Sequence, residues 1–327
     1  MTFQEISKIV KEIKEKKAKV GGIKEVYFVA CGGSLAANYP AKFFLESEAK
    51  DLKVGYYTSN EFVHATPNAL GKNSIAIVSS HQGTTPESVE AAKLSQEKGA
   101  STICFTFQKE AALAKYGDYV IGYEFGEKKD SANEKDAIIL KVAVEILNQV
   151  EGYDKYDAVV EGFGKLDNII KKATKHVEAR ALEFAEAYKD EKLIYTMASG
   201  SSYGAAHIES ICIFMEMQWI NSSSIHSGEY FHGPFEITDA NVPFIMLMSE
   251  GRTRALDERA LAFLSKYGKK YEVLDAKELG INEISDNVVE FFNPFLFSNV
   301  LGVYNKALAA ARKHPLSTRR YMWKLKY

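Results

Sequence analysis

The feature that most constrains the fold is a strand-and-helix pattern that occurs once in each half of the chain. Each half contains five short apolar runs rich in β-branched and aromatic residues, separated by helical patterns. In the first half these runs are Glu25–Cys31, Val54–Ser59, Ser74–Ser79, Thr102–Phe107 and Tyr119–Tyr123. In the second half they are Lys192–Ala198, Trp219–Ile225, Val242–Met248, Lys270–Leu274 and Val288–Phe292. Strands that alternate with helices predict an α/β fold with parallel sheets.

The turns between these elements also correspond. The matched pairs are Gly33 and Gly200, Ser59 and Ser227, and Gly99 and Gly268. Their offsets lie between 167 and 169 residues, and a nearly constant offset indicates an internal duplication. Between the halves, the charged stretch 155–189 predicts one long helix or a pair of helices. We therefore expect a first domain over residues 1–153, a helical connector over 154–190 and a second domain over 191–327.

The composition is that of a globular protein, with 46% hydrophobic and 26% charged residues. The longest apolar run, Val242–Met248, is far shorter than the roughly 20 residues that span a bilayer. The N-terminal residues lack the apolar stretch of a signal peptide, which predicts a cytoplasmic location. A formal net charge of −2 argues against nucleic-acid binding. Neither a membrane nor a nucleic acid is expected as a partner.

The three cysteines, Cys31, Cys104 and Cys212, each lie among apolar neighbours. We expect buried core thiols at these positions in preference to disulfides or metal ligands, because their number is odd and no ligand spacing is present. No Walker sequence and no GxGxxG sequence occurs, so nucleotide binding has little support.

A loop rich in hydroxyl groups follows the third predicted strand. It reads SSHQGTTPE over Ser79–Glu87, and its proline suits the first turn of a helix. Ligands of open α/β sheets bind at the carboxyl ends of strands, where helix N-termini favour anions. A simple helix cap needs only one hydroxyl, so we predict a phosphate site over Ser80–Thr85. The corresponding loop of the second half, Ser249–Arg254, has lost the hydroxyl cluster and gained Glu250.

The second half holds the candidate acid and base. Glu209 and Glu216 lie seven residues apart on an apolar helical pattern, one above the other. We expect Glu209 to be partly exposed, and Glu216 to be largely buried and a candidate general base. His232 precedes a Gly-Pro pair that places its imidazole on a loop, where catalytic groups often lie. A metal site drawn from His226, Glu229 and His232 lacks a metal-ligand spacing, so no metal is expected.

These segments carry a resemblance to a known family. Ala30–Ser34, Ser79–Glu87 and the stretch from Glu216 to Pro234 resemble the two sugar isomerase (SIS) domains in the isomerase half of glucosamine-6-phosphate synthase. Within that superfamily, the chain is similar over essentially its whole length to fructosamine-6-phosphate deglycases. The strings that carry this similarity are Tyr195–Gly200, Met215–Ile220, Gly228–Ile237 and His314–Lys324. The resemblance implies two flavodoxin-like, three-layer α/β/α SIS domains, each with a five-stranded parallel sheet.

The resemblance also implies roles for residues at matching positions. Glu216 and His232 match the acid–base pair, and in the family a neighbouring subunit can contribute the histidine, so at least a homodimer with its active site at the subunit interface is expected. The implied phosphate-binding residues are Gly33, Ser34, Ser80, His81, Gln82 and Thr85. The implied tail that closes the site contains Arg319, Arg320 and Tyr321. No metal and no organic cofactor is expected.

Two differences from the synthase limit how far the roles of its residues can be assigned to this chain. His81 and Gln82 replace a Gln-Ser pair in the phosphate loop, which can change how one phosphate oxygen is held. The glutaminase domain of the synthase has no counterpart in this sequence, which excludes ammonia transfer from glutamine.

The expected activity is the hydrolysis of fructosamine 6-phosphates, such as fructoselysine 6-phosphate, to glucose 6-phosphate and a free amine. Two alternatives stay open. One is an aldose–ketose isomerase of the same scaffold that acts on a sugar phosphate without an amine. The other is a phosphosugar sensor without catalytic activity. Neither the amine of the substrate nor the residues that contact it can be read from the spacing of residues.

Overall fold

The structure is a computed structural model that describes residues 1–126 and 129–326. The chain divides into two compact units, Met1–Val160 and a second that begins at Glu161. Each unit contains one sheet whose strands are all parallel. The α/β class and the parallel sheets predicted from the sequence are therefore confirmed.

The first unit contains a five-stranded sheet. Its helices are α1 (Phe3–Ala18), α2 (Gly32–Ala36), α3 (Tyr39–Glu48), α4 (Ser59–His64), α5 (Pro86–Glu97) and α6 (Lys135–Val150). Its strands are β1 (Glu25–Ala30), β2 (Lys53–Thr58), β3 (Ser74–Ser79), β4 (Ser101–Phe105) and β5 (Tyr119–Ile121), with 3₁₀ turns at Ala112–Tyr116 and Ser131–Asn133. The strand order is β2-β1-β3-β4-β5.

The central strands of the first sheet are buried on both faces. Tyr27 and Val29 of β1 pack in one cluster with Phe62 of α4 and Ala91 of α5. The intervening Phe28 points to the opposite face and is also fully buried. Strands covered on both faces read as continuous apolar runs, and β1, β3 and β4 are buried at every position.

The strand order brings two loops together at the carboxyl edge of this sheet. β1 pairs directly with β3, with Ala30 opposite Ser79 at the last position of each strand. The chain order reverses between these strands, and such a switch point leaves a crevice at the carboxyl ends. The short helix α2, which follows β1 and carries Ser34, therefore lies beside the loop that carries Ser80.

The first helix shows how local sequence sets an element boundary. Thr2 Oγ1 accepts a hydrogen bond from the backbone N–H of Glu5 at 3.2 Å, and Glu5 Oε2 accepts one from the N–H of Thr2 at 2.7 Å. This reciprocal cap begins the helix. Ile6, Val10 and Ile13 form its buried stripe, so most of its lysines face water.

The second unit contains a four-stranded sheet with the order β7-β6-β8-β9, numbered as follows. The strands are β6 (Tyr195–Ala198), β7 (Ser224–His226), β8 (Phe244–Met248) and β9 (Tyr271–Asp275). The helices are α7 (Tyr156–His176, which begins before the unit boundary), α8 (Glu178–Tyr188), α9 (Tyr203–Ile208), α10 (Arg254–Tyr267) and α11 (Asn293–Ala311). A π-helix spans Glu209–Gln218, and 3₁₀ turns lie at Gly200–Ser202, Pro234–Ile237, Ile281–Glu283 and Val289–Phe291.

This order repeats the connectivity of the first four strands of the first sheet. The charged stretch between the halves was predicted to form one long helix or a pair of helices. It forms a pair, α7 and α8. α8 packs against α11 of its own unit. The structure divides the chain inside α7 and does not set the predicted connector 154–190 apart as a unit of its own.

The predicted fifth strand of the second half, Val288–Phe292, is wrong. In the part of the chain that the structure describes, this run forms a 3₁₀ turn over Val289–Phe291, and the second sheet has four strands. The run is buried by helix packing instead. The rings of Phe292 and Phe163 lie 5.0 Å apart, and Gly162 leaves room for Phe292, because a Cβ there would approach its ring to 2.6 Å.

A second predicted strand, Trp219–Ile225, begins five residues too early. Trp219 ends the π-helix with a φ of +56°, which is incompatible with an extended strand. β7 starts only at Ser224. The first part of this apolar run therefore forms the end of a helix, and only its last residues lie in a strand.

Two further predictions concern cysteines and membranes. Among the described residues, Cys31, Cys104 and Cys212 form no disulfide, but only Cys104 of the three is buried, so the prediction of three buried thiols is wrong for the other two. Among the described residues, no helix combines the length and the apolar character that a membrane crossing requires.

Candidate active site

The predicted phosphate loop lies between β3 and α5. The hydroxyl oxygens of Ser80 and Thr85 are 3.0 Å apart. Thr85 occupies the N-cap position of α5, but its side chain does not cap the helix. Its hydroxyl is directed to Ser80 instead, so two hydroxyls meet at the positive end of a helix. This arrangement suits an anion.

Gly83 fixes the shape of this loop. Its φ is +68°, and a Cβ at this position would lie 2.6 Å from the Cβ of Ala111 and 2.7 Å from Thr106 Oγ1. Its N–H donates to the carbonyl of Ser80 at 3.1 Å, and its carbonyl accepts from the N–H of Leu113 at 2.9 Å. Both the backbone conformation and the close contacts require glycine.

Ser34 has a cationic neighbour that the sequence analysis missed. Lys135 Nζ donates to Ser34 Oγ at 2.9 Å, and the ammonium group lies 5.6 Å from the centre of the Tyr123 ring. Lys135 is the first residue of α6. A cation in the first turn of a helix opposes the helix dipole, and this unfavourable placement was the signal that could have identified it.

His81 lies among aromatic side chains. Its Nδ1 is 2.9 Å from the Tyr123 hydroxyl, and its ring stacks on Phe107 with centroids 5.5 Å apart. Burial, with a smaller contribution from the charge of Lys135, lowers the pKa of His81, so the imidazole is neutral near pH 7. These contacts support a role in holding the loop. Direct phosphate binding by His81 stays a prediction, as it does for Gly33 and the exposed Gln82.

A cavity of about 220 Å³ is lined in part by this aromatic group. Phe107 and Tyr123 line both the cavity and the His81 contacts. Lys109, Glu124 and Asn133 are among the other residues that line it. The cavity therefore has charged groups of both signs close to the phosphate loop.

The corresponding loop of the second unit is occupied by ion pairs. Arg254 donates to both carboxylate oxygens of Asp275, at 2.9 and 2.7 Å. Arg252 Nε donates to Glu290 at 2.6 Å, and Arg254 also pairs with Glu250 at 3.2 Å. Because carboxylates of the protein already neutralise these arginines, the loop agrees with the predicted loss of phosphate chemistry.

Glu209 is buried, contrary to the expectation of partial exposure. Only 2% of its surface is accessible, and its Oε2 accepts a hydrogen bond from Asn305 Nδ2 at 3.0 Å. Burial raises the pKa of Glu209 to about 8. Glu209 begins the π-helix, whose turns contain more residues than α-helical turns. Residues seven apart then no longer lie one above the other.

Glu216 lies near the end of the same π-helix. Its side chain is 22% exposed, so it is less buried than expected, and its Oε1 is 2.8 Å from the guanidinium of Arg319. π-Helical segments are rare and occur frequently at functional sites. The partly exposed carboxylate can therefore meet a substrate while a cation holds it.

His232 lies on an exposed turn after β7, as predicted. Its backbone N–H donates to the carbonyl of Glu229 at 2.9 Å. Among the described residues, no hydrogen bond or ion pair joins His232 to Glu216. The structure of a single chain thus presents both predicted acid–base residues but does not bring their side chains into contact.

Asp257 is a second buried carboxyl that the sequence analysis did not single out. It accepts hydrogen bonds from Ser227 Oγ at 2.6 Å and from the backbone N–H of Ser249 at 3.0 Å. Burial raises its pKa to about 6. Ser227 begins the turn that carries His232, so Asp257 ties that turn to the end of β8. Its only sequence signal was an acidic residue in the first turn of a helix.

The three predicted tail residues have different surroundings. Arg319 is largely buried and pairs with Glu216. The Arg320 guanidinium lies 4.1 Å from the centre of the Trp219 ring, and Tyr321 is 61% exposed. Only Arg319 contacts a predicted catalytic residue. Among the described residues, no three His, Cys, Asp or Glu side chains are grouped so that they could hold a metal ion.

Comparisons with known proteins identify the family of the chain. Residues 20–135 match the model of the SIS domain. The chain is 44% identical to fructosamine deglycase FrlB of Bacillus subtilis (strain 168), over 99% of this chain and 97% of that protein. It is 28% identical to fructoselysine 6-phosphate deglycase of Escherichia coli (strain K12), over 91% of this chain and 85% of that protein.

A solved structure extends the similarity to three dimensions. A protein of Salmonella typhimurium LT2, described as a candidate phosphosugar isomerase, superposes with a TM-score of 0.97 at 52% identity, over 99% of this chain and 97% of that one. The SIS domain match covers the hydroxyl loop and Lys135, and the full-length matches extend through Glu216, His232 and Arg319. The chain belongs to the SIS-domain family that contains the fructosamine deglycase FrlB.

Proposed function

We propose that this protein is a deglycase that hydrolyses fructosamine 6-phosphates, such as fructoselysine 6-phosphate, to glucose 6-phosphate and a free amine. The observation that carries the proposal is the loop in which the Ser80 and Thr85 hydroxyls meet the N-terminus of α5, in a chain 44% identical to a fructosamine deglycase. The fructoselysine 6-phosphate deglycase named above supports the phosphorylated form of the substrate.

The first unit supplies phosphate binding in this proposal. Ser80 and Thr85 donate hydroxyl hydrogen bonds, and the dipole of α5 favours the negative charge. Lys135, held by Ser34, adds a full positive charge. A charge-assisted hydrogen bond to phosphate is roughly twice as strong as a neutral one, so Lys135 is the main addition that the structure makes to the predicted binding residues.

The second unit supplies the proton transfers. His232 assists ring opening by moving a proton at the ring oxygen. Glu216 removes a proton from C1 and returns one to C2, which converts the ketoamine through an enaminol to an aldimine. Water then adds to C1, and the C1–N bond breaks to give glucose 6-phosphate and the free amine. Each such proton transfer typically contributes roughly 10²–10⁴ in rate.

Three finer features belong to this proposal. The repeated strand connectivity supports an SIS domain in each unit, each of the flavodoxin-like, three-layer type. The exposed His232 supports a homodimer or larger assembly in which a neighbouring subunit completes the site. A cytoplasmic location fits an enzyme that releases glucose 6-phosphate.

The direct test is incubation of the protein with fructoselysine 6-phosphate and with fructose 6-phosphate as separate substrates. A deglycase releases lysine and glucose 6-phosphate in equal amounts from the first compound. The description of the Salmonella structure supports the alternative of an aldose–ketose isomerase, which would convert fructose 6-phosphate and release no amine. Thermal stabilisation by both compounds without any product would instead indicate a sensor.

The role of Glu216 is tested with Glu216→Gln, which keeps the shape of the side chain and removes the base. We expect kcat to fall by roughly 10² or more. Binding should persist, and stabilisation by glucose 6-phosphate in a thermal melt measures it. Near-normal turnover in this variant would show that another group is the base.

A further inference from the structure

The ion pair between Arg319 and Glu216 differs from an ordinary surface ion pair, because its arginine is buried and held by the backbone. The Arg319 side chain is only 8% exposed. Its Nη1 donates to the carbonyls of Leu316 and Thr318, both at 2.8 Å, so Nη2 is the nitrogen that reaches Glu216. The backbone of the tail thus fixes the orientation of the guanidinium before it meets the carboxylate.

This arrangement is costly for stability. The Nε of Arg319 is buried and, among the described residues, has no hydrogen-bond partner. A buried donor without a partner destabilises the folded state, and more so when the group is charged. Burying an ion pair is also seldom a net gain. A feature that is expensive for folding and contacts a catalytic candidate points to a functional role.

Several independent contacts place Arg319 beside the π-helix. Gln218 Nε2 donates to the carbonyl of His314 at 2.8 Å, and the rings of Trp219 and His314 lie 4.7 Å apart. The Arg320 guanidinium also contacts the Trp219 ring. The tail residues 314–320 are therefore attached to the end of the helix that carries Glu216, on both sides of Arg319 in the chain.

The far side of Arg319 is held as well. Lys324 Nζ donates to the carbonyl of Arg319 at 2.6 Å, and the guanidinium lies 5.2 Å from the centre of the Trp323 ring. These contacts fix Arg319, and Arg319 in turn restricts the rotation of the partly exposed Glu216 carboxylate.

We propose that Arg319 is a positioning residue that aims the Glu216 carboxylate for proton transfer, so that the base is complete only when the tail is attached to the π-helix. The proposal rests on the deglycase function described above. It differs from a tail that only covers the substrate, because it assigns to one tail residue a direct contact with the base. A base must lie within hydrogen-bond reach of the proton that it removes, and a misplacement of about 1 Å can cost on the order of 10² in rate.

The test compares Arg319→Gln and Arg319→Lys with the wild type in fructoselysine 6-phosphate turnover. We expect kcat to fall on the order of 10² in Arg319→Gln with little change in KM, because residues of the first unit bind the phosphate. Arg319→Lys keeps the charge without the planar fork and should recover part of kcat. Arg180→Gln is the matched control, since it removes another Arg–Glu contact, to Glu272 at 2.7 Å, outside the site.

A second variant separates positioning from a general structural role. Arg319→Ala removes the guanidinium and leaves space for a small cation, so guanidinium ions added to the assay should restore part of kcat and should not raise the activity of Arg180→Gln. The result that overturns the inference is wild-type kcat in Arg319→Gln. A loss of kcat that only parallels a lowered melting temperature, with no recovery by lysine or guanidinium, overturns it as well.

The same assay distinguishes this inference from the function on which it rests. If the wild-type protein releases no amine from fructoselysine 6-phosphate, the proposed function fails and the role of Arg319 in it fails too. If the wild type is active and Arg319→Gln keeps its kcat, only the positioning role is wrong.

Discussion

At the scale of single residues, the core of the second unit is unusual because the carboxyl groups of Glu209 and Asp257 are buried in it. Burial raises the pKa of Glu209 to about 8 and that of Asp257 to about 6. The neutral form of a carboxyl is favoured when the group leaves water. Hydrogen bonds from several donors, among them Ser227 and Ser249, lower the pKa of Asp257, whereas Asn305 is the donor to Glu209 among the described residues, and this difference contributes to the smaller rise at Asp257.

Glu209 therefore makes stability depend on pH. Its pKa in the folded state is about 8, above its ordinary value of 4.5, so the folded state binds more protons than the unfolded state between these values. The free energy of unfolding consequently falls as the pH rises through this window. We expect Glu209→Gln to flatten this dependence and to be more stable than the wild type above pH 8, with about 1.4 kcal/mol for each unit of pKa removed as an upper limit.

Urea unfolding at several pH values across this window measures the effect. Glu186→Gln is the matched control, because Glu186 is an exposed helical glutamate, 66% accessible, that pairs with Lys189. It should retain the wild-type slope. Equal slopes for the wild type and Glu209→Gln would show that Glu209 is ionised in the folded protein.

At the scale of elements, the predicted phosphate site combines polar groups from three segments that are far apart in the sequence. β1 leads to Ser34, β3 leads to Ser80, and α6 begins at Lys135. Each segment contributes one polar group, and the pairing of β1 with β3 places two of them side by side. A loop sequence alone shows only the hydroxyls that are contiguous in the chain.

Lys135→Gln tests this composite site. The substitution keeps a hydrogen-bonding side chain next to Ser34 but removes the charge. We expect KM for fructoselysine 6-phosphate to rise on the order of 10- to 100-fold, which corresponds to one hydrogen bond from a charged group, with kcat nearly unchanged. Steady-state kinetics gives both values. Lys115→Gln, on an exposed turn of the same unit, is the control, and an unchanged KM in Lys135→Gln would remove the lysine from the site.

At the scale of the whole molecule, one strand connectivity occurs twice with different loops. In the first unit the loop after the third strand offers hydroxyls, and in the second unit the equivalent loop is closed by arginine–carboxylate pairs. The second unit instead carries Glu216 and the exposed His232. Each unit has therefore kept the fold and a different part of the proposed chemistry.

If a neighbouring subunit supplies His232, two inactive variants should complement each other. Glu216→Gln and His232→Gln would each lack turnover, but a mixed dimer would contain one site with both native residues and one with neither. After mixing equal amounts under conditions that allow subunit exchange, we expect about a quarter of the wild-type activity, because half of the dimers are mixed and half of their sites are intact. Activity that stays at the level of the separate variants would place both residues in the same chain's site.

The sequence by itself determined the α/β class, the repeated pattern and the hydroxyl loop. Buried parallel strands need continuous apolar residues, and a helix N-terminus with several hydroxyls needs particular residue types in a row. Both are local requirements that leave a readable pattern. Residue types also singled out Glu216 and His232, the family resemblance added the tail, and the comparisons confirm the family.

Only the tertiary structure decided the rest, since the remaining features depend on contacts between distant segments. The apolar run Val288–Phe292 looks like a strand, but packing against Gly162 and Phe163 makes it a turn. Lys135 lies 101 residues from Ser34 in sequence, and Arg319 reaches Glu216 from the tail. Periodicity reports whether a side chain is buried, but it carries no information about which charge meets which partner, and that pairing determines the chemistry of the site.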